Sequence, residues 1–331
     1  MFGVRINRKL LKYELIIEEV REAILQKKLS HGDLLPSISK VSEAYGCARE
    51  TVVKSFKILK EQGLIESLPS KGFFVSSENV TGLEKIFLLL NDLSPYMEVL
   101  HNAFAKELEG KAQVDVFFHH NNFQLFQQLV VDNSKRYHSY VIKPFAHPEL
   151  EDVLKKIPSD DLLILDRRES VNDSRSYICQ EFCEDFYMSL KIALPRIRRY
   201  NRLKLIYGQE TRHPTDSITA YERFCQDFSL SGNLINTFQA DALEKGDIYI
   251  VLSDDELVSV LSHCQSLGYA LGKDVGVISY NETPLKAFVS GGITTISADY
   301  NRMGQEAAKF AYEKNKVQKF EFASLNIRNS L

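Results

Sequence analysis

The chain has 331 residues with a net charge of −3, 44% hydrophobic and 26% charged residues, the profile of an ordinary globular protein long enough for more than one domain. No apolar run approaches the length of a membrane span, and the basic start, Met1–Lys12, is followed by Glu14, Glu18 and Glu19 rather than an apolar core, which argues against a secretion signal and for the cytoplasm. The five cysteines, Cys47, Cys179, Cys183, Cys225 and Cys264, are odd in number and widely spaced, so neither a disulfide framework nor a zinc site is expected.

Charge is unevenly spread. Residues 1–80 hold 13 Lys+Arg and 10 Asp+Glu, about +3, and leave the remainder at about −6. A basic head on an acidic body suits a protein that meets phosphates through its head alone.

In chain order, Tyr13, Ile16, Ile17, Val20 and Ile24 fall at helical spacing and predict a first helix over 13–27. Ser30-His31-Gly32-Asp33 ends it. Pro36 and Ser37 then open a short helix, Ile38 to Tyr45, with Val41 and Ala44 facing in, and Gly46 stops it. A third helix runs from about Ala48 to Gln62, with Val52, Phe56 and Leu59 buried and Arg49, Thr51 and Lys54 exposed. Two short helices joined by a tight glycine turn describe a helix-turn-helix. After Gly63 the pattern becomes extended. Leu64–Leu68, the turn Pro69-Ser70-Lys71-Gly72 and Phe73–Val75 read as a β-hairpin wing, its tip free to approach a phosphate because Gly72 has no side chain.

These blocks carry a resemblance. Gly32-Asp33-Leu34-Leu35-Pro36-Ser37, Gly46-Cys47-Ala48-Arg49-Glu50-Thr51-Val52, Leu59-Lys60-Glu61-Gln62-Gly63-Leu64-Ile65 and Lys71-Gly72-Phe73-Phe74-Val75 resemble the GntR family of bacterial regulators, in the family order and spacing. The resemblance implies DNA contact through Arg49 and Thr51 at the start of the recognition helix and through Lys71 and Gly72 at the wing tip; Ser37, Lys54 and Lys57 are further candidates for DNA contact, the two lysines as compensation for missing basic residues. The sequence departs from the family at Ala48, where a capping Ser is usual, and at Ser39 and Val53, where basic residues are common.

Ser76 to Gly82 is small and polar, which sets a domain of 1–76, a linker over 77–83 and a second domain over 84–331. There, short apolar runs (86–90, 114–118, 139–142, 162–165, 177–179, 204–207, 247–252 and 275–279) alternate with helical patterns (97–109, 123–133, 149–157, 183–198, 218–228, 255–268 and 303–314). The alternation predicts an α/β body of parallel sheets flanked by helices, and about 250 residues suit two lobes with a ligand cleft beyond the strand ends. Polar groups gather there: Asn91–Tyr96, Asp166-Arg167-Arg168, Ser253-Asp254-Asp255 and Tyr280–Leu285.

Residues 83–331 are similar to the LacI/GalR-type effector domain, a relative of periplasmic sugar-binding proteins, best at Val275–Leu285 with Ile293-Thr294-Thr295, then at Ile164–Arg167 and Ser253-Asp254. By resemblance the ligand meets Ser94, Tyr96, Asp166, Arg167 and Glu181 in the first lobe and Ser253 and Asn281 in the second. The Arg common on the second lobe aligns near Ser217, with Arg212 or His213 as its replacement. Planar polar groups and an aromatic such as Tyr96 suit sugar hydroxyls and a sugar ring face.

Enzyme signatures are missing: GxGxxG, the phosphate loop, HExxH and GxSxG do not occur, and the histidines have no metal spacing. The expectation is a repressor of carbohydrate-utilisation genes, without cofactor or metal. It would be a homodimer reading a near-palindromic operator and released by a monosaccharide, a pentose or deoxyhexose such as arabinose or fucose. The other reading is a soluble sugar-binding protein whose head binds a protein partner; it predicts no salt-dependent affinity for DNA.

Overall fold

A computed structural model describes residues 11–69, 71–77, 83–168, 174–208, 213–239 and 243–331. Ser70 of the expected turn, residues 78–82 of the expected linker, Arg212 and the first ten residues lie outside the described residues. The chain divides into two compact units, Met1–Lys85 and Ile86–Leu331.

In the first unit, helical spacing of apolar residues gives α1 (Lys12–Leu25), α2 (Ile38–Tyr45) and α3 (Arg49–Glu61). Ile16, Ile17, Val20, Ile24, Val41, Val52, Phe56 and Leu59 close into one core. Ala44 is exposed; the inward partner of Val41 is the half-buried Tyr45, since residues four apart share a helix face. Gly46, at φ +53°, takes the left-handed conformation between α2 and α3. β1 (Ile65–Leu68) and β2 (Gly72–Val75) pair antiparallel, Ile65 opposite Val75 and Leu68 opposite Gly72. The segment before α2 joins them, Leu35 N–H donating to the Phe73 carbonyl at 2.8 Å and Val75 N–H to that of Asp33 at 3.0 Å.

The second unit is built on two parallel-rich sheets, each of six strands among the described residues. The elements are β3 (Glu84–Leu90), α4 (Pro95–Glu107), β4 (Ala112–Phe118), α5 (Phe123–Asn133), β5 (Ser139–Ile142), α6 (Leu150–Leu154), β6 (Leu162–Asp166), β7 (Ser176–Cys179), α7 (Phe182–Ile197), β8 (Arg202–Ile206), α8 (Asp216–Asp227), β9 (Gly232–Ile235), β10 (Asp247–Val251), α9 (Asp254–Ser266), β11 (Gly276–Tyr280), β12 (Thr294–Ser297), α10 (Tyr300–Glu313), β13 (Gln318–Phe320) and β14 (Ser324–Asn326). The first sheet runs β13-β7-β6-β5-β3-β4 and the second β14-β12-β11-β10-β8-β9, with β14 antiparallel to β12. Of these strands, β9, β12, β13 and β14 go beyond the sequence reading.

The apolar runs follow from burial on both faces. Along β3, Ile86, Leu88 and Leu90 pack under α4 and α10, whereas Phe87 and Leu89 pack over α5 and α6. In the second lobe, Leu203, Leu205, Ile248 and Ile250 meet α7 and α8, and Tyr249, Val251 and Val277 meet α9. α10 follows β12 of the second sheet yet packs on α4 of the first, closely enough that a Cβ at Gly304 would strike the Leu100 carbonyl. The chain thus passes between lobes three times: from β7 to α7, from β12 to α10 and from β13 to β14.

Candidate functional site

The first unit presents one face of α3. Arg49 is its first residue, and Arg49, Lys54 and Lys57 are exposed while Thr51 is half-buried. Two of these cations already have neighbours. Lys54 Nζ sits 3.8 Å from the centre of the Tyr13 ring, and Lys57 lies 3.8 Å from Glu61. Ser37 caps α2, its hydroxyl accepting from Lys40 N–H at 3.4 Å. At the wing, Lys71 is exposed and Gly72 has φ +109°, where a side chain would be strained and its Cβ would stand 3.2 Å from Leu34.

The second unit holds a cleft of about 610 Å³ between its lobes, at the carboxyl ends of the strands. Of the residues named from sequence, Ser94, Tyr96, Asp166, Arg167, His213, Ser253 and Asn281 line it. Glu181 does not. It sits at the N-cap of α7, and its neighbour Gln180 lines the cleft instead, because successive side chains of extended backbone point to opposite sides.

Asp166 ends β6 and Asn281 follows β11, both in the left-handed conformation, at φ +68° and +61°. This region is rare for residues with a Cβ and is best tolerated by Asp and Asn. Asp166 is ion-paired with Lys143 at 2.6 Å, and both side chains are buried. Burial disfavours the Lys143 charge, but the Asp166 carboxylate, helped by Tyr96 and Asp92, lifts its pKa above the ordinary lysine value. His119 holds the Lys143 backbone from below. Its Nδ1 accepts from Asn121 N–H at 3.0 Å, which leaves Nε2 to donate to the Lys143 carbonyl at 3.0 Å. Burial pushes the His119 pKa down to about 4, so the ring is neutral.

The opposite wall is built differently. Lys286 Nζ donates to the carbonyls of Tyr280 at 3.0 Å and Asn281 at 2.9 Å and pairs with Asp254 at 2.8 Å. Burial draws its pKa below the ordinary value against the pull of Asp254. His213 packs edge-on against Tyr280, ring centres 4.3 Å apart, and its Nε2 lies 2.6 Å from the hydroxyl of buried Ser217. Burial and Arg167 push its pKa down to about 3. Ser253 caps α9 through a reciprocal pair with Glu256, so its hydroxyl is already engaged.

Polar side chains bridge the two walls. Gln180 Nε2 donates to Asp166 and to the Tyr300 hydroxyl at 2.9 Å, and that hydroxyl donates to Asn281 Oδ1 at 2.9 Å. On the first wall the Ser94 hydroxyl and Asn91 Oδ1 are buried and lack a hydrogen-bond partner among the described residues.

Residues 12–75 match the model of bacterial regulatory proteins of the gntR family, and residues 200–317 match that of the periplasmic binding protein-like domain. The chain joins a gntR-type helix-turn-helix head to a periplasmic-binding-protein-like body. The head is 34% identical over 71 residues to the transcriptional repressor YtrA of Bacillus subtilis, covering 22% of this chain and 55% of that protein. It is 35% identical over 68 residues to the mannosyl-D-glycerate transport/metabolism system repressor MngR of Escherichia coli, covering 20% of this chain and 28% of that one. The matched stretch therefore spans about half or less of these relatives. The body has the fold of the E. coli trehalose repressor, with a TM-score of 0.63 at 14% identity over 73% of this chain and 99% of that one. A LacI family regulator from Arthrobacter sp. FB24, solved with lactose, gives 0.61 at 14% identity over 75% and 99%.

The body's cleft also contains Lys143, Gln180, Lys286 and Tyr300, which sequence reasoning did not name as ligand residues. Lys143 follows β5 directly, so the strand-end rule applied to that strand points to it. Tyr300 follows β12, a strand the sequence reading lacked.

Proposed function

We propose that this protein is a ligand-responsive transcription regulator of the cytoplasm, a repressor of carbohydrate-utilisation genes, whose head binds operator DNA and whose body binds a monosaccharide. The observation that carries this reading is the union in one chain of the gntR-type head, with Arg49 and Lys71 exposed, and a body whose cleft offers hydroxyl-seeking groups. Asn91 and Ser94 bring polar side chains to its lining, Asn281 and Asp166 supply planar acceptors, and Tyr96 supplies an apolar ring face.

The charge of the cleft favours a neutral ligand. Five carboxylates and three cationic side chains line it among the described residues, and Lys143 and Lys286 are already paired. A phosphorylated sugar would find little unspent positive charge. We assign a pentose or deoxyhexose, whose shorter set of hydroxyls suits the aromatic part of the wall. Two relatives of the body carry a sugar in their description, trehalose in one and lactose in the other.

The active form in this proposal is a homodimer on a near-palindromic site. A lac repressor of the same fold, 14% identical with a TM-score of 0.61, is described as dimeric. In the second lobe Leu285, Phe288 and Val258 are 70%, 81% and 60% exposed, and the Lys286–Asp254 pair brings the turn carrying the first two beside the helix carrying the third. A second copy is the cover we assign to them.

The test is duplex binding by the full-length protein across a salt series, with and without each neutral sugar of a panel and its phosphate. The expected result is an affinity that falls steeply with salt, as phosphate contacts release counterions, is weakened at least several-fold by Arg49→Ala, and is shifted by one neutral sugar. Salt-independent or undetectable DNA binding would overturn the regulator reading and favour a head that binds protein. A response to phosphorylated sugars alone would overturn the neutral ligand.

A further inference from the structure

The exposed face of α3 contains one residue that charge does not explain. Arg49, Val53 and Lys57 are spaced four apart and share a stripe along the helix. Val53 is 48% exposed and lies outside the core of its unit, while the other large apolar residues of α3, Val52, Phe56, Ile58 and Leu59, belong to that core or pack against it. Valine is a weaker helix former than Ala, Lys or Arg, because its branched Cβ loses rotamer freedom. At this position it therefore gives the helix neither propensity nor burial. The cations around it are partly committed elsewhere, Lys54 over Tyr13 and Lys57 beside Glu61. The centre of the stripe is thus an apolar knob flanked by Arg49.

We propose that Val53 is a specificity-determining residue that packs against the 5-methyl group of a thymine in the major groove. The inference rests on the DNA-binding reading of the head. The major-groove edges of the bases are polar except for the thymine methyl, so that methyl is the partner an exposed valine can desolvate. Charge complementarity brings this face to duplex DNA: Arg49 at the start of the helix and Lys71 at the wing are both exposed. Arg49 suits guanine, whose O6 and N7 accept its paired donors. Four residues of helix advance roughly 6 Å, and base pairs are stacked about 3.4 Å apart. The thymine therefore falls within about two base pairs of the base that Arg49 reads.

The experiment begins with selection of binding sites from a randomised duplex library by the full-length protein. Each thymine of the selected site is then replaced in turn by deoxyuridine, which lacks only the methyl group. For the wild-type protein, one thymine per half-site is expected to lose about 4-fold in affinity on replacement, equivalent to roughly 0.8 kcal/mol for one buried methylene-sized group. Val53→Ala is expected to bind with little response to the replacement, whereas Val53→Ile keeps it. Because Ala is the better helix former and the site is exposed, a folding failure of V53A is not expected, and V53I supplies an independent readout. The sensitive thymine is expected within about two base pairs of the position whose discrimination R49A loses. Equal binding of thymine and deoxyuridine at every position, or the same loss in V53A as in wild type, overturns the role of Val53 while leaving DNA binding intact. Selection of no sequence by the wild-type protein overturns both.

Discussion

The two walls of the cleft use the same backbone device with different chemistry. In each lobe the chain leaves a buried strand in the left-handed conformation and presents a short polar side chain, Asp166 from the first lobe and Asn281 from the second. Each is attended by a buried lysine. In the first lobe Lys143 meets the side chain itself, a buried carboxylate, and its pKa is raised. In the second, Lys286 meets the backbone carbonyls of Tyr280 and Asn281, its acidic partner Asp254 is half-exposed, and its pKa is lowered. The first wall is a closed ion pair whose partners depend on each other. The second is a neutral amide on a propped turn, its Oδ1 engaged only by the Tyr300 hydroxyl among the described residues. The comparison teaches that equivalent places in the two lobes divide the work, one wall fixing charge and the other offering a hydrogen-bonding group.

Breaking the ion pair is expected to have the largest effect. Asp166→Ala leaves Lys143 charged and unpartnered in the interior and is expected to cost about 3–5 kcal/mol in denaturant unfolding of the full chain. Asp166→Ala combined with Lys143→Met removes the orphaned charge and recovers that part of the loss, while the strain of Ala in the left-handed conformation remains. A double variant as unstable as the single one would show that the pair is not what the first wall depends on. His119, which holds the Lys143 carbonyl, adds a pH dependence on the same side. Its folded pKa of about 4 lies below the ordinary value of 6.5. The unfolded chain therefore takes up the proton first, so the stability associated with neutral His119 is present above pH 6.5 and is lost as pH falls towards 4. The upper limit is about 3 kcal/mol. Thermal unfolding of the wild type and of His119→Phe over that range checks it, and parallel curves would remove His119 as the source. On the second wall, Lys286→Met removes the ammonium donor from two carbonyls but leaves no buried countercharge, and a smaller cost of about 1–3 kcal/mol is expected. A loss as large as that of Asp166→Ala would erase the distinction between the walls.

The parts legible in the sequence are those where one local rule dominates. α2 runs over the residues that its Ser37 cap and Gly46 stop mark out, and the continuous apolar runs of β3, β5 and β6 announce strands covered on both faces. The misjudged or missing parts depend on partners distant in sequence. β12 reads as polar because Thr294, Thr295 and Ser297 are buried with their hydrogen bonds supplied elsewhere; Thr294 N–H meets the Ser330 hydroxyl and the Thr295 hydroxyl meets Glu282. β9 has three exposed residues and no apolar run to mark it. In the cleft, strand-end polarity pointed to Asp166 and Asn281, but nothing local marks Lys143 or Lys286 as buried. A lysine is ordinarily a surface residue, and only the packed fold brings Asp166 or the Tyr280 carbonyl to it. Lys204 shows the opposite hazard, because its buried pairing with Asp247 at 2.7 Å lies outside the cleft lining.

The smallest expected effect tests whether the two walls communicate. Tyr300 opens α10, which packs on the first lobe, and its hydroxyl accepts from Gln180 and donates to Asn281 Oδ1 across the cleft. Tyr300→Phe keeps the ring against Tyr96, 4.9 Å away between centres, and removes the bridge alone. Its cost is expected to be about 0.5–1.5 kcal/mol for each of the two hydrogen bonds that the hydroxyl makes. A double-mutant cycle with Asn281→Ala isolates the bond to Asn281: if it joins the lobes, the second substitution costs less once the first is present, by a coupling of about one such bond. Strict additivity would mean that the two side chains, though within bonding distance, act separately, and that the walls differ in chemistry without exchanging free energy. A measurable coupling would make Asn281 a residue whose orientation the first lobe helps to set, and ligand affinity in Tyr300→Phe should then fall while the salt dependence of DNA binding stays unchanged.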